Sequence, residues 1–427
     1  MIHRRLMTVA RLTALAGMLL FGVAQRPAPE GGHTAPARSA AGSFCPPLAA
    51  PTGSAITVDT ESGIRSQAYN AAPGTTILIA PGTYALQDYV HIVNADIALR
   101  GATGNRDDVI LDFGGMTTGH FGVLVSADDV TVADLTIRNT TDHGVSIQGV
   151  DRPVLYNLHI LDANDQLVKV NPLGDGSDNG LLACSRLGYT TTDPDGYTNG
   201  ISAHDAHSWI VRDNTWVRVR TSTGTPVPTI LFWSGSSDTL VERNVLIDCS
   251  QGISFGNAGQ SGINHTGGIV RNNIIYAGQH HDVMIEMVRA TGWLVAHNTV
   301  IGHDPAPGLT WSIEARFAES QGTFANNLTN MDIWSDRDGA SAVATDNVTT
   351  AQSDWFISGA PASAEDADLH LVPTAVDAID AATQLPQVLT DIDGDVRANG
   401  AGADAGADEV ADPLVLDERI YLPIVLR

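Results

Sequence analysis

The chain holds a single lysine, Lys169, against 22 arginines, and it sits in the alternating segment DQLVKVN. If Val168 and Val170 point inward on a strand, Lys169 and Asn171 point outward. In the later segment NGISAHDAH the same alternation buries Ile201 and Ala203, setting Ser202 beside Lys169 and His204 beside Asn171. One strand further on, Trp233 joins the His204 column. Lys169, Asn171, His204 and Trp233 then form a patch roughly 10 Å long. Such a patch suits β-elimination from a uronic acid, which needs a base for the proton next to the carboxylate and donors for the developing enediolate. The competing reading of Lys169 is a solvated strand residue without a chemical role. His204 and His207 also form an HxxH pair, equally explained by hydrogen-bonded surface histidines.

A second constellation lies further along the chain. Glu286 in VMIEM and Glu314 in SIEARF fall in the outward column of Lys169, on successive strands about 4.8 Å apart, with Arg316 beside them. Two carboxylates at that spacing do not both ionise cheaply, so one is neutralised, shared with Arg316 or bound to a cation. The spacing is near that of a retaining glycosidase pair, and a structural salt-bridge cluster is the plainer alternative. Four strand spacings, roughly 19 Å, separate Glu286 from Lys169, too far for one catalytic centre. Arg218 and Arg220 are candidates for holding an acidic substrate. Asp175 and Asp178 in the loop PLGDGSDNG, together with Asp205, offer oxygen ligands for calcium, as do loop 193–200 and Asp391, Asp393 and Asp395. None of these has full EF-hand spacing, and Asp-Gly turn chemistry explains them as well. Trp209, Trp216 and Trp311 either stack on sugar rings or pack inside.

The elements that must position these residues come from a repeat. From about residue 120 a short alternating strand, a turn and a second alternating stretch recur, as in GVLVSADDVTVADLTIRN and GVSIQGVDRPVLYNLHIL. Aligning the copies stacks Asp134, Asn157, Asn214, Asn244, Asn273, Asn298, Asn327 and Asn347 in one column, the pattern of an asparagine ladder. Short strands rich in Val and Ile, with no amphipathic helices between them, exclude alternating β-α units. The architecture predicted is an all-β, single-stranded right-handed parallel β-helix over 55–350, each coil stabilised by stacking on its neighbours. Ile64, Ala68 and Ala71 at helical spacing predict a capping helix at its start, and 351–427 a looped C-terminal cap and tail.

Arg4, Arg5 and Arg11 around an apolar run ending near Ala24 read as a secretory signal peptide over 1–24, followed by a disordered lead-in over 25–54. Without those three arginines the charge moves from −25 to −28, from 20 basic and 48 acidic residues. That excludes nucleic acid and anionic membranes as partners, and no other apolar run is long enough for a membrane span. Cys45, Cys184 and Cys249 are too few for a disulfide framework; Cys184 and Cys249 either pair or stay as two buried thiols.

The segment PGTTILIAPGTYAL (73–86) followed by DIALRGATGNRDDVILD (96–112) resembles the N-terminal coils of the pectate-lyase-like superfamily, as in chondroitinase B and the alginate lyases. DQLVKVN is similar to the lysine-bearing strand of chondroitinase B, with Asp162 and Asp165 standing where that enzyme carries calcium-ligand glutamates. The ending DIDGDVRANGAGADAGADE resembles the final cap of bacterial secreted β-helix proteins. The resemblance implies extracellular polysaccharide chemistry, with lysine or arginine as the base of an elimination. The reading is a secreted or surface-held monomer acting on an acidic polysaccharide as a lyase, with calcium as its candidate cofactor. Its alternatives are a glycosidase using Glu286 and Glu314, and a non-catalytic glycan-binding or adhesion solenoid.

Overall fold

A computed structural model describes residues 44–117, 119–174, 176–193 and 196–410. The expected signal peptide, the lead-in up to residue 43, Asp175 and the tail from 411 lie outside these residues. Short strands stack into three long parallel sheets. Fourteen strands form the first, between Ser54–Val58 and Val343–Thr345; ten each form the second, Val90–Ile92 to Asp332–Arg337, and the third, Gly82–Ala85 to Leu328–Thr329. The chain visits the sheets in turn, so that Val145–Gln148 pairs with Val168–Asn171 and that strand with Ile201–His204, one coil apart. This is the parallel β-helix that the repeat predicts.

Alternation decides which side chains fill it. Leu99, Val132, Leu155, Leu182, Val211, Val241, Val270 and Val295 are successive register partners in the first sheet, and all are fully buried. A coil alone could not enclose such a column; stacked coils bury it from both sides. At the N-terminal end the helix Glu61–Asn70 covers the core with Ile64 and Ala68. Thr60 caps that helix by accepting from the Gly63 amide at 3.1 Å.

The corner between the first and third sheets carries the asparagine ladder. Asn214, Asn244, Asn273, Asn298 and Asn327 each donate from Nδ2 to the Oδ1 of the next amide, ending on Asn347, at 2.9–3.0 Å. Asn244 also donates to the backbone carbonyls of Val211 and Glu242, so each amide ties its coil to its neighbours. The residue before each ladder position is left-handed, including Asp213, Arg243, Asn272, His297 and Asn326. Two members of the predicted column fall elsewhere. Asp134 and Asn157 themselves have positive φ, so they occupy the position before the ladder. Asn157 donates outside the core, to the Gly104 carbonyl and to Asp134. Leu135 and Leu158 fill the inward position there instead, and Ser185 bridges the gap by accepting from the Leu158 amide and donating its own amide to Asn214.

The cysteine pairing differs from both expectations, a Cys184–Cys249 bond and two buried thiols. Cys184 is bonded to Cys45, with Cα atoms 5.5 Å apart, and Cys249 is a free buried thiol pushed up to about 11 by burial. Residues 44–53, expected within a disordered lead-in, are held against the ladder corner: Phe44 lies under the Arg243 guanidinium, Tyr156 donates to the Pro46 carbonyl and Arg100 to that of Ala49. Sequence spacing could not show this, because the partner of Cys184 lies 139 residues away.

Beyond residue 350 the coils give way to loops, two 3₁₀ turns and one antiparallel pair, Phe356–Ser358 with Asp368–Leu371. This segment lies along the flank of the solenoid. Its Phe356, Leu369 and Leu371 join a satellite core with Ile274, Tyr276 and Ile301, which face outward from the third sheet. Arg397, fully buried, anchors it by donating to Asn272 and pairing with Glu409.

Candidate functional site

The outer face of the second sheet brings the first predicted patch together. Lys169 is the register partner of Ser202, and His204 of Trp233. Lys169 Nζ lies 3.3 Å from Ser202 Oγ and 3.0 Å from His204 Nε2. The indole of Trp233 stands edge-on to the His204 ring, with centroids 4.5 Å apart. Asn171 follows Val170, the partner of Ala203, and so stands beside His204. Burial pushes Lys169 down to about 8, against the opposing pull of Asp165 and Asp142. His204 is pushed down to about 4 by burial and by Lys169. At neutral pH a neutral imidazole therefore accepts from the lysine, and a fraction of the lysine is free amine.

Sequence reading missed part of this centre. Asp142 and His143 lead into the strand Val145–Gln148, and Asp165 leads into Val168–Asn171, which places them at the entry to the Lys169 strand on adjacent coils. His143 Nδ1 is 3.1 Å from Asp142 Oδ1 and 3.9 Å from Asp165 Oδ2. Burial and the neighbouring Asp142 push Asp165 up to about 7, while burial and Lys169 push His143 down to about 4. The Phe121 ring stacks on His143 at 5.6 Å. Only Asp165 drew notice in the sequence. Asp142 and His143 lie in a turn without repeat phase, and only the coil stacking brings them beside it.

Glu286 and Glu314 are register partners, as predicted, and border a cleft of about 250 Å³ with Gln251, Trp311, Arg316 and Arg337. Their arrangement is not that of two free carboxylates. Glu314 is fully buried, receives both oxygens' worth of bonding from Arg337 at 2.9 and 2.6 Å, and accepts from the Trp311 indole. Burial, the Glu314 charge and a hydrogen bond to Glu314 push Glu286 up to about 8, and Gln251 donates to it at 3.0 Å. Arg316, predicted to share the pair, pairs with Asp338 at 2.6 Å; Arg337 takes that role. Carboxyl groups in mutual hydrogen bonding are closer than the roughly 5–5.5 Å of a retaining pair.

The other candidates lie apart. Arg218 and Arg220 follow a strand of the third sheet and are engaged there, Arg218 by Glu365 and Arg220 by Asp248 and Gln279. Asp178 Oδ1 accepts from the His207 amide, and Asp205 faces the His207 ring at 3.4 Å. Neither belongs to a convergent group of three metal-ligating side chains among the described residues. Asp391 accepts from the amides of Asp393, Asp395 and Glu409, as turn chemistry requires. Trp209 and Trp216 are fully buried core residues, whereas Trp311 is partly exposed against Trp334.

No protein-family model matches the chain, and no curated protein does. Among solved structures, the pectate lyase Pel9A is similar over 81% of this chain and 90% of its own, at 13% identity and a TM-score of 0.50. A rhamnogalacturonan lyase covers 76% of this chain and 98% of its own at 12% identity and a TM-score of 0.47. An alginate lyase from Paenibacillus sp. str. FPU-7 covers 59% of this chain and 95% of its own at 16% identity and a TM-score of 0.40. At such identities the likeness is one of backbone. What is shared with the pectate lyase Pel9A is the fold, a parallel β-helix.

Proposed function

We propose that the protein is a polysaccharide lyase that cleaves an acidic glycan by β-elimination on the outer face of the second sheet, with Lys169 as the base. The observation that carries this reading is the partly buried Lys169 amine, held by Ser202 and His204 at 3.3 and 3.0 Å. The free amine takes the proton from the carbon next to the uronate carboxylate. The released electron pair forms a carbon–carbon double bond and expels the glycosidic oxygen, which takes up a proton. Asn171 and His204 are the neighbouring groups able to donate to the developing enediolate, Ser202 is fully buried and holds the amine, and Trp233 offers a surface for a sugar ring.

Calcium does not enter this account. The Asp178 and Asp205 oxygens face His207 rather than a common point, so they do not fit the cation that needs six to eight oxygen ligands. The glycosidase reading finds no support in a Glu314 that is fully buried and bound by Arg337. The Cys45–Cys184 bond supports a secreted or surface location, since such bonds persist in oxidising compartments.

The test is a screen of alginate, chondroitin, pectate and neutral glucans, read by ultraviolet absorbance for unsaturated ends and by reducing sugar. Absorbance with at least one uronate polymer, abolished in Lys169→Ala, is the expected result. Reducing ends without absorbance, lost in Glu286→Gln, would favour hydrolysis, and silence on every polymer would favour a binding solenoid.

A further inference from the structure

The third sheet carries a cavity of about 340 Å³ that the elimination account does not use. It is bordered by Arg218, Arg220, Asp248, Tyr276 and Gln279 of the solenoid and by loop 361–365 of the C-terminal segment. Two buried polar atoms in this lining have no hydrogen-bond partner among the described residues. Asp248 is only 6% exposed; its Oδ2 accepts from Arg220 at 2.7 Å, whereas its Oδ1 is unpaired. Arg220 donates from Nη1 to Gln279 and from Nη2 to Asp248, whereas its Nε is unpaired. Buried polar groups are ordinarily satisfied, so an acceptor and a donor left open in one cavity call for a guest that both donates and accepts. A sugar hydroxyl does both.

The charges beside the cavity narrow the class further. Arg218 and, one coil away, Arg186 converge on a single carboxylate, that of Glu365. With Arg220 paired to Asp248, three guanidiniums stand against two carboxylates, a local positive excess in a chain of net charge −25. Glu365 is 41% exposed on the short turn Ala364–Asp366, so it can leave. Arg218 also donates from Nε to the Tyr189 carbonyl at 2.9 Å and stays in place when it does. The Glu365 carboxylate thus stands where the carboxylate of a ligand would sit. We propose that this cavity binds a uronic-acid residue of an acidic oligosaccharide, its hydroxyls on Asp248 Oδ1 and Arg220 Nε and its carboxylate on Arg186 and Arg218 in place of Glu365. The choice of a uronate rests on the acidic-glycan reading above, but the site needs no elimination. It lies on a different sheet from Lys169, so it holds glycan without cutting it.

The full chain carrying Lys169→Ala, which prevents cleavage, is titrated calorimetrically with galacturonate and alginate trisaccharides. Glu365 competes from within at a high effective concentration, so adding Glu365→Gln should tighten binding of at least one trisaccharide by roughly tenfold. The segment stays docked in that variant through Phe356, Leu369 and Arg397, and its melting temperature should remain close to the parent. Adding Arg186→Gln to the tightened variant should weaken binding again by about tenfold or more. Maltotriose, with hydroxyls but no carboxylate, and succinate, with carboxylates but no hydroxyl, should each bind at least about tenfold more weakly than the better trisaccharide. No binding of either trisaccharide, affinity unmoved by Glu365→Gln, or affinity unmoved by Arg186→Gln would each overturn the proposal, leaving Glu365 as an anchor alone. Succinate bound as tightly as the trisaccharides would overturn it in favour of a plain anion site. Elimination by the chain with Lys169 intact is measured apart from these titrations, so a failed glycan site and a failed lyase reading are told apart.

Discussion

At the scale of single residues, the account turns on what surrounds one amine. Burial brings Lys169 down to about 8. Only the unprotonated amine can take a proton, so elimination is predicted to rise with pH and level off above about 8. An initial-rate profile from pH 5 to 10 checks this, and a fall in rate between pH 6 and 8 would contradict it. His204→Ala removes the ring 3.0 Å from Nζ. It is expected to lower kcat by roughly 10- to 100-fold with a smaller change in KM, because a positioning contact is lost and not the base itself. The patch was legible in the sequence because a period of two decides which strand residues share a face. Lys169, Ser202, His204 and Trp233 therefore needed only the strand register. Asp142 and His143 did not show, since turn residues have no period to be read.

At the scale of elements, the ladder corner gives the sharpest contrast. Asn244→Ala and Asn273→Ala each break a buried network and are expected to cost about 1–3 kcal/mol, measured by denaturant unfolding. Asn157→Ala, one position off the ladder and partly exposed, should cost clearly less; equal losses would put Asn157 back in the column. The sequence shows the asparagine phase plainly from Asn214 onward, but it cannot separate a left-handed Asn from an inward Asn one residue later. Both are turn positions that favour the same residue type. The glutamate pair has its own signature. Folded Glu286 stays protonated up to about 8, whereas its ordinary value is 4.5, so the unfolded chain ionises first as pH rises. Stability is then lost through the window from 4.5 to about 8. Glu286→Gln should stabilise the protein at pH 8–9 and leave it nearly unchanged at pH 4. A variant less stable than wild type at pH 9 would contradict the shared-proton arrangement.

At the scale of the whole molecule, the coils form one stack whose outer face carries Lys169, while the C-terminal segment covers the opposite flank and the ladder corner. The Cys45–Cys184 bond closes a loop of 139 residues, for which the chain-entropy relation gives up to about 5 kcal/mol. Cys45→Ser should therefore lower the melting temperature markedly, and Cys249→Ser, which removes a free thiol, far less. Similar losses in both would remove the bond from the stability of the fold. The repeat made the solenoid readable from sequence, whereas long-range partners such as Cys45 with Cys184, or Arg397 with Asn272, leave no periodic trace. The central claim, elimination by Lys169, is tested most directly by mass spectrometry of the oligosaccharides released from a uronate polymer. The account predicts products with an unsaturated end, one water lighter than hydrolysis would leave, and none from Lys169→Ala. Unsaturated products persisting in Lys169→Ala, or only hydrated products from the wild type, would contradict it.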